Sequence, residues 1–255
     1  TPAIQPWVRD HYTYTDDPEI TEEGAVLRRD SSYYRNDIDA GMTYAFSSRA
    51  NIDFSGKHMV KRYSDDVVAD EADELQTGWG VSVWRRLSRT FGLLADVRTT
   101  SYGYETVDDL DRGFDVLVGA FGVEKIFSRQ LRGGARIGYG QTSYDESDLG
   151  NEDFPYVRVS VAGKHAPFSE IKCWVSHGIV QSDVYPFSSQ KSTDIGGKLE
   201  LDTPANIIVG FLTRYALGEY EREYLAADGV DDAAVLEGDE DILVLSGILG
   251  YRIRH

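Results

Sequence analysis

Five histidines, one cysteine and a set of strand-borne bases are the residues through which this chain could do chemistry. His11, His58, His165, His177 and His255 are scattered. None forms a pair at helical spacing or a His-x-Glu pattern, so no metal centre of that kind is spelled out. Ser176 and His177 are adjacent, and neighbours on a strand point to opposite faces, so they do not make a nucleophile–base pair. A single cysteine, Cys173, excludes an internal disulfide and a cysteine-cluster metal site. Gly133-Gly134 and Gly138-Tyr139-Gly140 do not match a phosphate loop. Runs of Asp and Glu offer hard oxygen ligands of the type Ca²⁺ takes, without EF-hand spacing. They read better as solvated, self-repelling loops. The expectation is no enzyme, no cofactor and no metal. What remains is Lys57, Arg98, Arg132, Arg136, Arg158, Lys198 and Arg214, each on the polar side of an alternating segment. Gathered on one face, such bases attract anions and focus the field.

The elements that would gather them are strands. Period-two alternation dominates the chain. From Leu243 one face reads Leu243, Leu245, Gly247, Leu249, Tyr251, Ile253. Over 207–220, Ile207, Val209, Phe211, Thr213, Tyr215 and Leu217 alternate with a second set that contains Arg214. Leu131, Ala135, Ile137 and Tyr139 oppose Arg132, Gly134, Arg136, Gly138 and Gly140; a helix does not tolerate that many interior glycines. About twelve strands are expected. They run over 6–14, 37–47, 51–63, 75–86, 91–104, 114–127, 131–144, 155–165, 171–185, 193–202, 207–220 and 241–255. Short turns (47–50, 87–90, 128–130, 166–170, 203–206) alternate with long polar loops (16–36, 64–74, 105–113, 145–154, 186–192, 221–240). Acid concentrates in 64–74 and 221–240, whereas the short turns carry Arg49, Arg89 and Arg129. Ser64–Glu74 admits a helical reading, weakly supported.

Composition bounds the rest. The 255 residues are 41% hydrophobic and carry a net charge of −17. That acidity excludes a nucleic-acid binder, which needs a basic face. No apolar run reaches the ~18 residues of a membrane helix. The mean hydropathy of −0.37 would ordinarily indicate a soluble protein. A transmembrane β-barrel escapes that rule, because only half of each strand is apolar. Short turns on one side and long loops on the other is the outer-membrane barrel pattern. The expected fold is all-β: one domain over 1–255, a single closed antiparallel transmembrane β-barrel of about 12 strands. Its turns would be periplasmic and its long acidic loops extracellular.

Lipid would then meet Ile38, Ala40, Met42, Tyr44 and Phe46, then Trp79, Val81 and Val83, then Phe91, Leu93, Ala95 and Val97. Phe46, Phe91, Phe127, Tyr139, Tyr144, Tyr215 and Tyr251 would form aromatic girdles. The opposite faces would line a lumen with Lys57, Lys61, Arg86, Arg98, Arg132, Arg136, Arg158, Lys164, Lys198 and Arg214. Asp37, Asp39, Asp53, Asp96, Glu124 and Glu200 share that face. Such bases either attract anions or pair with the acids and prop the barrel shut.

Three stretches carry a family likeness. They are Gly41-Met42-Thr43-Tyr44-Ala45-Phe46, the hairpin Val83-Trp84-Arg85-Arg86-Leu87-Ser88-Arg89-Thr90-Phe91-Gly92-Leu93, and the last strand. In these the chain resembles bacterial outer-membrane β-barrels, and the β-barrel porin 2 family associated with exopolysaccharide gene clusters. The resemblance implies an integral outer-membrane protein of a Gram-negative cell, its signal peptide removed. It also implies porin-like transport of small anionic solutes, or assistance to exopolysaccharide export with a secretion or polysaccharide-export partner. Other partners would be outer-membrane lipid, lipopolysaccharide and the barrel-assembly machinery, whose signal Leu249, Tyr251 and Ile253 resemble. His255 departs from the usual terminal Phe. Two alternatives stay open. One is a plugged structural barrel anchoring a secretion or surface assembly. The other is a soluble β-sandwich that binds carbohydrate.

Overall fold

The computed structural model describes residues 3–15, 32–65, 69, 73–104, 113–145, 151–166, 169–181, 189–202, 207–220, 224–225, 234–235 and 238–251. Alternating sequence becomes strand throughout. The first four strands are β1 (Ala3–Thr15), β2 (Tyr33–Ser47), β3 (Ala50–Tyr63) and β4 (Glu74–Arg86). The next four are β5 (Phe91–Tyr104), β6 (Phe114–Ile126), β7 (Leu131–Tyr144) and β8 (Glu152–Ala166). Then follow β9 (Ser169–Gln181), β10 (Ser189–Asp202), β11 (Ile207–Tyr220) and β14 (Gly238–Tyr251). A two-residue ladder, β12 (Tyr224–Leu225) with β13 (Ala234–Val235), lies between the last two. Two residues a side are too few to show a period, so that ladder is not expected from the sequence.

Each long strand pairs antiparallel with its chain neighbour, giving one twelve-stranded sheet in the order β1 to β11, then β14. The expected soluble alternative needs two sheets packed face to face, and the long strands form one. The expected closed barrel needs correction in one respect. Among the described residues β1 and β14 are not hydrogen-bonded to each other, so the sheet has two free edges. A sheet closes only when strand tilt and accumulated stagger bring its first and last strands into register. That match is not made here. The acidic stretches of 64–74 and 221–240 fall largely outside the described residues, as does His255. Of the first, Asp65, Ala69 and Asp73 are joined by i−4 backbone bonds of 2.8 and 3.1 Å, a helical turn.

The sheet nevertheless curls around an interior. Trp7 of β1 and Arg214 of β11 line the same cavity. Tyr144 of β7 reaches Ser189 of β10, hydroxyl to hydroxyl, at 2.8 Å. Three strands of flat sheet would span about 14 Å, so this contact needs a concave face. Burial alternates accordingly. On β6 Phe114, Val116, Val118 and Ala120 are buried, whereas Leu117, Phe121 and Val123 are exposed. The outward set includes Leu249, Phe121, Ile137 and Trp79, at 81, 74, 69 and 68% exposure. These are large apolar side chains turned away from the interior. Phe46, Phe127, Tyr139 and Tyr215 also point outward, as expected of a girdle. Tyr144 does not. It lies five residues from Tyr139, so period two turns it to the inner face, where it packs against Phe114 with ring centroids 5.9 Å apart.

Two of the short turns are built alike. In 87–91 the Leu87 and Ser88 amides donate to the Phe91 carbonyl, and the Ser88 hydroxyl accepts the Thr90 amide at 3.2 Å. In 127–131 Phe127 and Ser128 do the same to Leu131, and the Ser128 hydroxyl accepts the Gln130 and Leu131 amides. A turn serine thus satisfies backbone donors that the ladder leaves unpaired. It leaves Arg89 and Arg129 exposed on that rim.

One glycine shows how tightly the inner face is fitted. A Cβ on Gly140 of β7 would overlap the Phe154 ring from β8, which lies across it. Gly140→Ala is expected to cost about 1–3 kcal/mol, as overpacking does. Thermal unfolding in detergent measures it. An unchanged midpoint would show that the ring is free to move.

Candidate functional site: the interior of the curled sheet

The inner face divides into two zones. At the long-loop end Phe114, Val116, Val118, Phe154 and Ile179 form a buried apolar cluster, with Tyr102, Tyr104, Tyr144 and Tyr156 packed on it. Tyr102 stacks on Phe114 at 4.6 Å between centroids. The sequence expectation of a polar, base-lined lumen is corrected here. From Val116 onward the inner Val116, Val118 and Ala120 alternate with apolar Leu117 and Phe121, so that stretch of β6 gives no polarity contrast from which its inner face could be read.

Toward the short turns the interior is charged. A cavity of about 580 Å³ is lined by Arg86, Arg89, Arg132, Arg136, Arg158 and Lys172, with Glu124 and Glu170 as its acids. Glu124 accepts the Trp84 indole N–H at 3.2 Å. A second cavity of about 520 Å³ lies at mid-height, bounded by Lys57, Arg98 and Arg214 and by part of the aromatic cluster. Arg158 lines both cavities.

Most of the expected site residues are held in ion pairs. The Asp96 carboxylate, its side chain 2% exposed, lies 3.2 Å from Arg98 Nη2 and 3.6 Å from Arg136 Nη1. Asp194 accepts Arg214 Nε at 2.9 Å and the Trp174 indole N–H at 3.1 Å. Asp37 accepts two bonds from Arg35 and lies 3.5 Å from Lys57 Nζ. Lys198 is 3.2 Å from Glu200. So Lys57, Arg98, Arg136, Lys198 and Arg214 are tied to acids of the inner face. Arg132 and Arg158 carry no ion pair among the described residues. In the ladder Arg158 stands directly opposite Arg136 on one side and Ser176 on the other. Two like charges opposite each other repel, and the acid that relieves Arg136 does not reach Arg158.

A separate node closes the long-loop ends of β3 and β4. Lys61 Nζ lies 2.9 Å from Glu74 Oε1 and sits 5.3 and 5.0 Å from the Tyr33 and Tyr63 ring centres. Asp73 accepts the Tyr63 amide at 2.8 Å and Arg62 Nη1 at 3.2 Å. The node lies beyond the outward band of Phe54, Trp79, Val81 and Val83. Burial alone would push the Lys61 ammonium's pKa down. The Glu74 carboxylate beside it overrides that and raises it above the ordinary lysine value. The sequence marked Lys61 as interior but gave no sign of its tyrosine box, since Tyr33 lies beyond the expected start of its strand.

Among the described residues no cluster of three or more His, Cys, Asp or Glu side chains is placed to hold a metal. His177 Nδ1 is 2.8 Å from the Thr193 hydroxyl, and Cys173 is free and exposed.

No protein-family model and no curated protein matches the chain. The likeness to the β-barrel porin 2 family therefore stays one of strand motifs. Among solved structures the chain is similar to the Pseudomonas putida toluene transporter TodX. The two share 13% identity with a TM-score of 0.42, over 95% of this chain and 77% of that one. A second crystal structure of that transporter gives 12% identity and 0.41, over 99 and 79% of the two chains. The TodX deltaS2S3 mutant, a monoaromatic hydrocarbon channel, gives 13% and 0.42, over 96 and 78%. At such values neither function nor site residues pass from those proteins to this one, and the interior's own chemistry has to carry the functional reading.

Proposed function

We propose that the chain forms an outer-membrane β-barrel channel, closed between β1 and β14, that passes small anionic solutes. The observation that carries this is one curled sheet with an apolar outer face around two cavities that share Arg158, which has no ion pair among the described residues. An outer face bearing Phe121, Ile137 and Leu249 fits lipid and would drive aggregation in water. Closure rests on the same physics. In lipid a free strand edge leaves backbone N–H and C=O groups unsatisfied, at several kcal/mol each. β1 runs toward the long loops and β14 away from them, so the two edges have the right polarity to pair. Lipid and lipopolysaccharide are then the outer partners, and the barrel-assembly machinery the inserting one.

Anion preference rests on Arg132 and Arg158. Bases already matched by Asp96, Asp194 or Asp37 add little net field to a passing ion. An exported polysaccharide would meet the same arginines, but the apolar cluster at the long-loop end suits a small solute better than a chain. That cluster also favours a second reading, a barrel plugged by its own side chains that anchors a surface assembly. Phe114 and Phe154 are each 1% exposed.

Planar-bilayer recording tests both. Reversal potentials in a KCl gradient are expected to show chloride preference. Arg132→Ala with Arg158→Ala should lower the anion-to-cation permeability ratio by at least ~3-fold. A silent bilayer supports the plugged barrel. Cation preference, or a ratio that the double variant leaves unchanged, overturns the anion reading.

A further inference from the structure

The mid-height cavity has two unlike walls on one strand. Phe154, Tyr156 and Arg158 occupy successive inward positions of β8, about 7 Å apart. Val116 and Val118 of β6 and Ile179 of β9 complete an apolar surface beside them. The cavity's other bases are spoken for: Lys57 by Asp37, Arg98 by Asp96 and Arg214 by Asp194. Its remaining acid, Asp39, stands in the ladder between Arg9 and Lys57. Arg158 instead has Arg136 and Ser176 as cross-strand neighbours and no acid. The combination is a cavity of about 520 Å³ with an apolar patch on one wall, polar residues around the rest, and at the edge of the patch one guanidinium without an ion pair among the described residues. An apolar patch beside one charged group is the pairing that orients a small ligand.

We propose that this cavity is a binding site for small aromatic carboxylates. The ring lies against Tyr156, Phe154 and the two valines. The carboxylate takes the Arg158 guanidinium, whose planar fork matches it bidentately. The proposal rests on the channel reading, since it places the site on the solute's path, and it names which anions the path favours. Simple inorganic anions meet only the charge. Neutral aromatics meet only the wall. A ligand with both gains from each, and it relieves the repulsion between Arg158 and Arg136 as well.

Calorimetry on the whole chain in detergent tests this with three probes: benzoate, acetate and benzyl alcohol. Benzoate is expected to bind at least about tenfold more tightly than either of the others. Arg158→Gln should weaken benzoate about tenfold and leave benzyl alcohol unchanged. Tyr156→Ala should weaken benzoate and benzyl alcohol together. Unheated gel mobility checks that both variants stay folded, and Arg158→Lys, which keeps the charge without the fork, stands in if Arg158→Gln does not fold. Equal binding of acetate and benzoate, equal binding of benzyl alcohol and benzoate, or insensitivity to Arg158 overturns the site. Benzoate binding with a silent bilayer overturns the channel and keeps the site. Anion-selective conductance without benzoate binding does the reverse.

Discussion

Phe121→Arg is expected to destabilise the folded protein in lipid by about 2–4 kcal/mol, the cost of placing arginine on the lipid face near the bilayer midplane. Phe121 lies near the middle of β6, is 74% exposed, and has Ala95 and Ile137 as its ladder neighbours. The same substitution on a water-facing strand would fall within about ±0.5 kcal/mol. Urea unfolding in phospholipid vesicles reads the difference. Asp115→Arg, on the same outward face but next to the long-loop end, should cost much less, because the penalty falls toward the interface. If both substitutions are neutral, the outer face does not meet lipid, and the channel reading fails with it.

Lys61→Met is expected to cost about 3–5 kcal/mol, the usual penalty for leaving one member of a buried pair behind. Glu74 would remain enclosed with its carboxylate unmatched, and Tyr33 and Tyr63 would lose the cation between them. Lys61→Met combined with Glu74→Leu should recover most of the loss, because no charge is then stranded. Guanidinium unfolding of the two variants side by side makes the comparison. Equal losses would mean that the rings, not the ion pair, hold the long-loop ends of β3 and β4. The pH dependence follows from the raised pKa of Lys61. Its contribution is fully present below the unfolded lysine value of about 10.4. It is lost only as pH climbs through the higher folded value.

The strands and their facing were legible because period two is a local property. Leu245, Leu249, Phe211 and Tyr215 point outward because they alternate with smaller or polar neighbours. Arg132, Arg136, Arg158 and Arg214 fall on the inner face for the same reason. Facing is not legible where alternation carries no polarity contrast or runs too short to show a period. Over 116–123 both faces of β6 are apolar, so the aromatic cluster is not legible there. The strand-end position of Tyr144 suggests a girdle, but its parity is opposite to that of Tyr139 and turns it inward. The ladder of Tyr224 and Leu225 with Ala234 and Val235 was missed because two residues are too few to show a period.

By itself, then, the sequence determined that this chain makes about a dozen antiparallel strands with a greasy side and a charged side. Side-chain spacing along one strand suffices for that. Only the tertiary structure decided which charges remain free. Asp96 is two residues from Arg98 in the chain, but its hold on Arg136 spans from β5 to β7. Arg158 has no ion pair among the described residues because its neighbours across the ladder are Arg136 and Ser176. Curvature brings those strands together around one interior, and curvature is a property of the whole sheet that no single strand encodes.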